Sequence, residues 1–202
     1  MARYRDVQAF DDRSRDYESG RHGELHHRIA EATADIAMAG VAAPSHILDV
    51  GCGTGYLLRL LAVRCPEAIE LVGIDPAPGM IEVAKSAADD QRLRFTSGVA
   101  EMLPYPESSF DLVVTTTSFD HWADQRAGLA ECARVMAPGG RFVLTDLFSV
   151  IFLPTLLVGH RGRARTPRRA GSLLRAVGFV SIAWHRLPPP LTTLIRTVTA
   201  TK

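Results

Sequence analysis

The chain is short of the residues from which metal centres and disulfide frameworks are built. Among its 202 residues it has only three cysteines, Cys52, Cys65 and Cys132. No two of them form a CxxC pair, and none belongs to a His/Cys cluster with metal-ligand spacing. We therefore predict neither a metal site nor a redox pair, and an odd, sparse cysteine count also argues against a disulfide scaffold.

Long apolar runs are missing as well. The most apolar stretch late in the chain, residues 149–158, is far too short to span a bilayer. The first six residues are polar and lack the apolar region of a signal peptide. The sequence thus predicts a cytoplasmic protein with no membrane span.

Neither sign of charge is in excess, because 23 Lys and Arg face 22 Asp and Glu, for a formal net charge of +1. No global field draws such a protein to nucleic acid or to an anionic membrane, so we predict no nucleic-acid partner. The exception is the basic segment 160–169. It is interpreted either as a lid that recognises an anionic substrate or as a solvated loop. Its apolar neighbour, residues 150–153, lines an acceptor pocket, belongs to the core, or docks a second subunit to form a homodimer.

From residue 45 onward, short apolar runs alternate with helical patterns. Strands are predicted at 47–50, 70–75, 93–96, 110–115 and 141–146, and helices at 24–39, 56–64, 78–88, 124–136 and 170–177. This alternation predicts an α/β fold with a Rossmann-like doubly wound sheet of five parallel strands and helices on both faces. Two closely joined β-rich stretches, 179–186 and 192–199, must pair antiparallel, so a C-terminal antiparallel hairpin ends the sheet.

We expect one domain over 1–202, because nothing in the sequence suggests a linker, a repeat or a low-complexity segment. Within it, residues 1–43 form an N-terminal helical cap and residues 44–148 form the ligand-binding core. Residues 149–202 supply a lid segment, the last helix and the terminal hairpin.

Glycines at alternate positions follow the first predicted strand, in Asp49-Val50-Gly51-Cys52-Gly53-Thr54-Gly55. Such a loop permits a tight turn and a close approach of ligand to backbone, and the helix that follows favours an anion. A dinucleotide-binding GxGxxG pattern would need glycine at 56, where this chain has Tyr56. Asp75 ends the second strand, 20 residues beyond Gly55, and its carboxylate is placed to accept from both hydroxyls of a ribose.

Four motifs, in order, resemble those of class I S-adenosylmethionine-dependent methyltransferases. They are residues 47–55, residues 73–80, residues 98–104 with 109–111, and residues 135–142. The resemblance covers roughly 45–148 and is closest to the small-molecule branch that includes the ubiquinone and menaquinone biosynthesis methyltransferases. It implies S-adenosyl-L-methionine as cofactor, S-adenosyl-L-homocysteine as product, and transfer of a methyl group to a small-molecule acceptor.

The resemblance also implies which residues contact the cofactor. In the motifs and the strand-four loop these are Asp49, Gly51, Cys52, Gly53, Gly55, Asp75, Pro76, Met80, Val99, Ala100, Glu101 and Thr116. Val99 stands where similar enzymes carry an aspartate that accepts from the adenine amino group. Adenine recognition must therefore use the backbone near Ala100 and Glu101, or the Glu101 side chain. In similar enzymes the N-terminal arm folds over the cofactor, and here it offers Tyr17 and Arg21. The Arg21 guanidinium either pairs with the cofactor carboxylate or belongs to a solvated charged helix.

The loop after the fourth strand, residues 115–122, should face the transferred methyl group. His121 is the candidate general base because histidine titrates near neutral pH, and it is alternatively a packing partner of Trp122 or a pocket wall. Asp120 is a second catalytic candidate, or else a helix cap or pocket acceptor. A base at this position favours oxygen or carbon acceptors. His26 and His27, on the polar side of an earlier helix, receive no role.

Three other functions stay open at this point. A non-catalytic S-adenosylmethionine-binding module would keep the same pocket, since methyl transfer demands few obligatory side chains. A methyltransferase acting on a macromolecule is a second alternative, although the strand-four loop lacks the Asn/Asp-Pro-Pro-aromatic motif of enzymes that methylate amines of bases. A nicotinamide-dependent oxidoreductase is disfavoured by the glycine spacing.

Overall fold

A computed structural model describes residues 7–40, 43–148, 166–189, 191 and 194–202. The helices are α1 (Val7–Arg13), α2 (Gly20–Met38), α3 (Tyr56–Arg64), α4 (Pro78–Ser86), α5 (Gln125–Val135) and α6 (Pro167–Ala176). The strands are β1 (His46–Val50), β2 (Glu70–Asp75), β3 (Leu93–Ser97), β4 (Phe110–Thr116), β5 (Met136–Leu147), β6 (Val180–Arg186) and β7 (Ile195–Thr201). Single 3₁₀ turns lie at Ser14–Asp16 and Phe119–His121.

The strands form one seven-stranded sheet in the order β3-β2-β1-β4-β5-β7-β6. All pairings among β1 to β5 are parallel, whereas β7 runs antiparallel to both β5 and β6. The predicted fold class, five parallel strands followed by an antiparallel hairpin, is therefore confirmed. Strands β2 and β3 are added on one side of β1, and β4 and β5 on the other, so the strand order reverses between β1 and β4. Ligands of open α/β sheets bind at such a point, beside the carboxyl ends of the strands.

Helices cover both faces of the sheet, as an alternating βα pattern requires. On one face, α2, α3 and α4 pack through small and branched side chains onto strand residues such as Ile47, Leu71 and Leu112. On the other face, α5 and α6 pack onto residues such as Phe142 and Leu144. None of the helices in the described residues has the length and apolar character that a bilayer crossing needs.

Two element boundaries differ from prediction by four residues or more. Helix α2 begins at Gly20, upstream of the predicted 24, in a stretch where Gly23 packs against the Glu18 backbone so closely that a Cβ would lie 2.0 Å from its carbonyl oxygen. Strand β5 begins at Met136 because Met136 pairs with Phe110 before the register shifts. Residues 138–140, which precede the predicted strand 141–146, thus lie in a bulge within β5, with Gly139 at φ +75°.

The predicted lid helix at 149–158, and residues 160–165 of the basic segment, lie outside the described residues. The rest of that segment opens α6, where Thr166 caps the helix by accepting from the Arg169 amide.

Candidate functional site

The glycine loop forms a tight bend at the carboxyl end of β1. The amides of Gly51 and Cys52 both donate to the carbonyl of Ile74, at 2.8 and 3.1 Å, which ties the bend to β2. Gly51 and Gly53 adopt φ of +77° and +51°, a backbone region open mainly to glycine. A Cβ at Gly51 would lie 2.3 Å from the Ser118 hydroxyl, whereas one at Gly53 would meet no atom within 4 Å.

The Asp75 carboxylate completes the bend from the end of β2. One oxygen accepts from the Gly53 amide at 2.9 Å, and the other accepts from the Ala77 amide, also at 2.9 Å. Burial raises the pKa of Asp75, and the two amide hydrogen bonds oppose that rise. The group is held by backbone donors, and an acceptor-only carboxylate has lone pairs left for ligand hydroxyls.

A second carboxylate lies beneath the bend without hydrogen bonds. Asp49 is fully buried at the end of β1, and neither carboxylate oxygen has a hydrogen-bond partner among the described residues. Burial, and then the nearby charge of Asp75, raise the pKa of Asp49 to about 8. A buried carboxylate without donors is costly when ionised, so the arrangement suits a ligand that brings positive charge to this place.

A cavity of about 730 Å³ runs along the carboxyl ends of the central strands. Most of the predicted site residues line it, namely Gly51, Gly53, Asp75, Pro76, Met80, Val99, Ala100, Glu101, Thr116, Tyr17 and His121. A smaller cavity of about 470 Å³ lies between the bend and α2, and it is lined by Cys52 together with Gly51, Gly53, Thr116 and Tyr17, which both cavities share.

The N-terminal arm, residues 7–19, contributes lining residues to both cavities. Asp11 accepts from the Gly79 amide at the start of α4. Glu18 accepts from the Arg59 guanidinium at 2.8 and 3.1 Å, and Arg59 also donates to the Thr54 carbonyl. Burial would raise the pKa of Glu18, but hydrogen bonds from Thr54 and Arg59 outweigh it and lower the pKa. The arm is thus tied to the helices on both sides of the glycine bend.

Comparisons with known proteins point to the same family as the four sequence motifs. A family model described as a methyltransferase domain matches residues 48–144. A demethylmenaquinone methyltransferase of Deinococcus radiodurans is 37% identical, over 67% of this chain and 68% of that protein. This chain belongs to the class I S-adenosylmethionine-dependent methyltransferases. A malonyl-[acyl-carrier protein] O-methyltransferase of Hahella chejuensis is 36% identical to this methyltransferase, over 60% of this chain and 42% of that protein.

The fold of the methyltransferase recurs in solved structures. A chain in the complex between the Haloferax volcanii Trm112 methyltransferase activator and a methyltransferase superposes with a TM-score of 0.80. The two chains are 20% identical, and the match covers 95% of this chain and 96% of that one. At that identity the likeness shows the fold alone.

Four predicted site residues of the methyltransferase line neither cavity. Asp49 is buried below the bend, and Gly55 opens α3 with no room for a Cβ, which would lie 2.6 Å from the Phe95 ring. Arg21 is exposed on the first turn of α2. The Asp120 amide donates to Asp146 at 3.3 Å. That contact fixes the turn bearing His121, since Asp146 is buried at the end of β5 and its pKa is raised to about 6 by burial.

His121 lies at the exposed rim of the methyltransferase's larger cavity, with its ring edge-on to Phe10 at 5.0 Å between centroids. This position allows it to face an acceptor but leaves it open to solvent. No group of three or more metal-ligating side chains gathers in the described part of the chain.

Several residues that line the larger cavity had not been predicted individually as site residues, among them Phe10, Thr117 and Ser118. Ser118 donates to the Val50 carbonyl at 2.9 Å and accepts from the Trp122 indole at 3.3 Å, so it joins β1 to the strand-four loop. Thr117 has φ +50°, which is unusual for a β-branched residue and marks local strain. Residue type gave no signal for this conformation. A hydrogen bond from the Thr117 amide to the Thr145 carbonyl, at 2.8 Å, stabilises this conformation.

Proposed function

We propose that this methyltransferase binds S-adenosylmethionine across the carboxyl ends of β1 to β4 and transfers its methyl group to an oxygen or carbon of a small-molecule acceptor. The observation that carries the proposal is the continuous cavity that joins the glycine bend, the Asp75 carboxylate and the strand-four loop.

The chain's own groups fit the parts of that cofactor. Asp75, held by two amides, is placed to accept from the ribose hydroxyls. Val99, Ala100 and Trp122 line the same cavity and give an apolar site for the purine. The unpartnered Asp49 suits the cationic end, because positive charge nearby favours its ionised form. The cofactor, when bound, supplies a methyl group already activated on a sulfonium.

The protein itself must position donor and acceptor and remove the acceptor's proton. Closing the arm over the cavity excludes water and aligns donor and acceptor. An O–H or acidic C–H acceptor must also lose a proton, and we assign His121 as its general base because it lines the cavity beside the strand-four loop. Asp120 supports the assignment by holding the turn through the hydrogen bond that its backbone amide donates to the Asp146 carboxylate. The named O-methyltransferase relative is consistent with an oxygen acceptor.

Turnover with a panel of acceptors tests the proposal. The purified protein is incubated with S-adenosylmethionine and phenol, reduced 1,4-naphthoquinone or a primary amine, and S-adenosylhomocysteine and methylated products are followed by mass spectrometry. We expect methylation of a hydroxyl or ring carbon in this panel, and a loss of about 100-fold in rate for His121→Gln. The control is His46→Gln, at the opposite end of β1.

The outcomes separate the alternatives. Cofactor binding without turnover on any acceptor would favour a non-catalytic binding module. Full activity of His121→Gln would contradict the role of His121 as general base but would leave the proposed methyl transfer standing. The cytoplasmic location, the homodimer and the division at residues 43/44 and 148/149 stay predictions from the sequence.

A further inference from the structure

A line of polar side chains leads from the cavity to the surface through the N-terminal arm. Tyr17 lines both cavities, as does Thr117, the strained residue after β4. The Tyr17 hydroxyl lies 3.5 Å from Nδ1 of His26. The Nε2 of His26 lies 3.4 Å from Nε2 of His22, whose ring is 4.4 Å away between centroids.

The exposure of these groups rises along the line. Tyr17 and His26 are half-buried, and His22, one turn before His26 on α2, is exposed. Both contacts of His26 are at the long end of hydrogen-bond distances, as catalytic contacts commonly are before a ligand closes the site. The line therefore runs from the cavity through the Tyr17 phenol, the half-buried His26 imidazole and the exposed His22 imidazole to solvent.

The two inner groups are neutral near pH 7. Burial, followed by the charges of His22, His27 and Arg13, lowers the pKa of His26 to about 4. Burial raises the pKa of Tyr17 to about 12, although Arg13 opposes the rise and Asp75 adds to it. A neutral imidazole has one donor and one acceptor nitrogen, so it passes a proton along without holding charge itself.

We propose that Tyr17, His26 and His22 form a proton relay that carries the acceptor's proton out of the covered cavity. The proposal rests on the proposed function, since transfer to an O–H acceptor forms a C–O bond, leaves the electrons of the broken C–S bond on sulfur and releases one proton. The relay gives that proton a path to solvent through the arm, separate from the exposed His121.

The relay moves one proton per turnover in a defined direction. The acceptor hydroxyl gives its proton to the Tyr17 oxygen while Tyr17 gives its own to Nδ1 of His26. His26 gives the proton on Nε2 to Nε2 of His22, which releases it to water. His26 then regains its starting tautomer by exchange with solvent at its exposed edge. His121 and the relay are compatible, because either can take the proton first and only the relay leads it through the arm.

The first test needs no acceptor. The relay requires a neutral His26 that carries its proton on Nε2, so that Nδ1 can accept from Tyr17. Long-range ¹H–¹⁵N correlation spectra of ¹⁵N-histidine-labelled protein, free and with S-adenosylhomocysteine, report this tautomer, and His26→Asn assigns the signals. We expect the Nε2–H form at pH 7, with a shift in Tyr17→Phe. A proton on Nδ1, or an imidazolium at pH 7, overturns the proposal.

The second test uses turnover on the hydroxyl acceptor that gives product in the panel. We expect His26→Asn and His22→Gln to bind S-adenosylmethionine within about threefold of wild type yet turn over about 10-fold more slowly near neutral pH. Their rates should recover as pH rises or when imidazole is added, because another base then removes the proton. His46→Gln should match wild type.

Failure of the relay is distinguishable from failure of the proposed function. A wild-type protein that neither binds the cofactor nor turns over contradicts the function itself. A wild-type enzyme that turns over, with His26→Asn giving the same rate and pH profile and no response to imidazole, contradicts the relay. A uniform loss that imidazole and pH leave unchanged assigns the histidines a structural role and also contradicts it.

Discussion

Replacing Gly53 by alanine separates two roles of the glycine bend, and Gly139 offers a matched control. Both residues have positive φ, +51° and +75°, and a Cβ at either would meet no atom within 4 Å. They differ in place, because Gly53 lines both cavities, whereas Gly139 lies in the exposed bulge at the other end of the sheet. The two substitutions therefore introduce similar backbone strain but only one of them adds a methyl group to the cavity.

The magnitudes follow from that geometry. A left-handed conformation costs a residue with a Cβ about 1–2 kcal/mol, so both variants should fold with a free energy of unfolding lowered by that amount. For a chain of this size the midpoint of thermal unfolding should fall by about 2–8 °C in each. In Gly53→Ala the new methyl group also occupies space that the cofactor needs. Losing about 1.4 kcal/mol of binding there would weaken S-adenosylhomocysteine binding tenfold, and we expect at least that loss.

Thermal unfolding and isothermal calorimetry on the two variants and the wild type decide the matter. The expected pattern is equal losses of stability, with weakened binding in Gly53→Ala alone. If Gly53→Ala bound S-adenosylhomocysteine as tightly as the wild type, the bend would not face the cofactor. Comparable weakening in Gly139→Ala would show that strain, rather than the added methyl group, lowers affinity.

Two further predictions concern charge. The pKa of Asp49, about 8 against an ordinary 3.8, is raised in the folded state, so its contribution to stability is present below about pH 4 and lost as pH rises through about 8. Asp49→Asn should therefore gain thermal stability relative to wild type between pH 5 and 9, and a constant difference would refute this. Arg59→Ala should release Glu18, and with it the arm, from α3. This release should speed tryptic cleavage within residues 13–21 and weaken cofactor binding severalfold, whereas Arg64→Ala on the same helix should do neither. Equal cleavage rates in both variants would show that Arg59 does not hold the arm.

Local signals predicted the central part of the fold. The apolar run 47–50, the glycines after it and the β-rich stretch that ends in Asp75 are each encoded by neighbouring residues, so the bend and its acidic partner could be placed together. The antiparallel hairpin followed from its short connection. Helix α3 and strand β2 begin and end where the sequence pattern predicts.

The rest depended on contacts between distant residues. The early start of β5 comes from pairing between Met136 and Phe110, which no local pattern reports. The strained backbone of Thr117 runs against the preference of a β-branched residue and is imposed by its surroundings. His26 looked like a solvated residue on a polar helix face, and it gains a candidate role only because the arm brings Tyr17 onto it.

We expect the bend at 51–55 and the Asp75 carboxylate to bind S-adenosylmethionine. Calorimetric titration of the wild-type protein with S-adenosylhomocysteine and, separately, with NAD tests it most directly, with Asp75→Ala as the variant. We predict one S-adenosylhomocysteine bound per chain, no binding of NAD, and binding weakened at least tenfold in Asp75→Ala, since two ribose hydrogen bonds to a charged group are lost. No heat with S-adenosylhomocysteine, or equal binding by wild type and variant, would contradict the account.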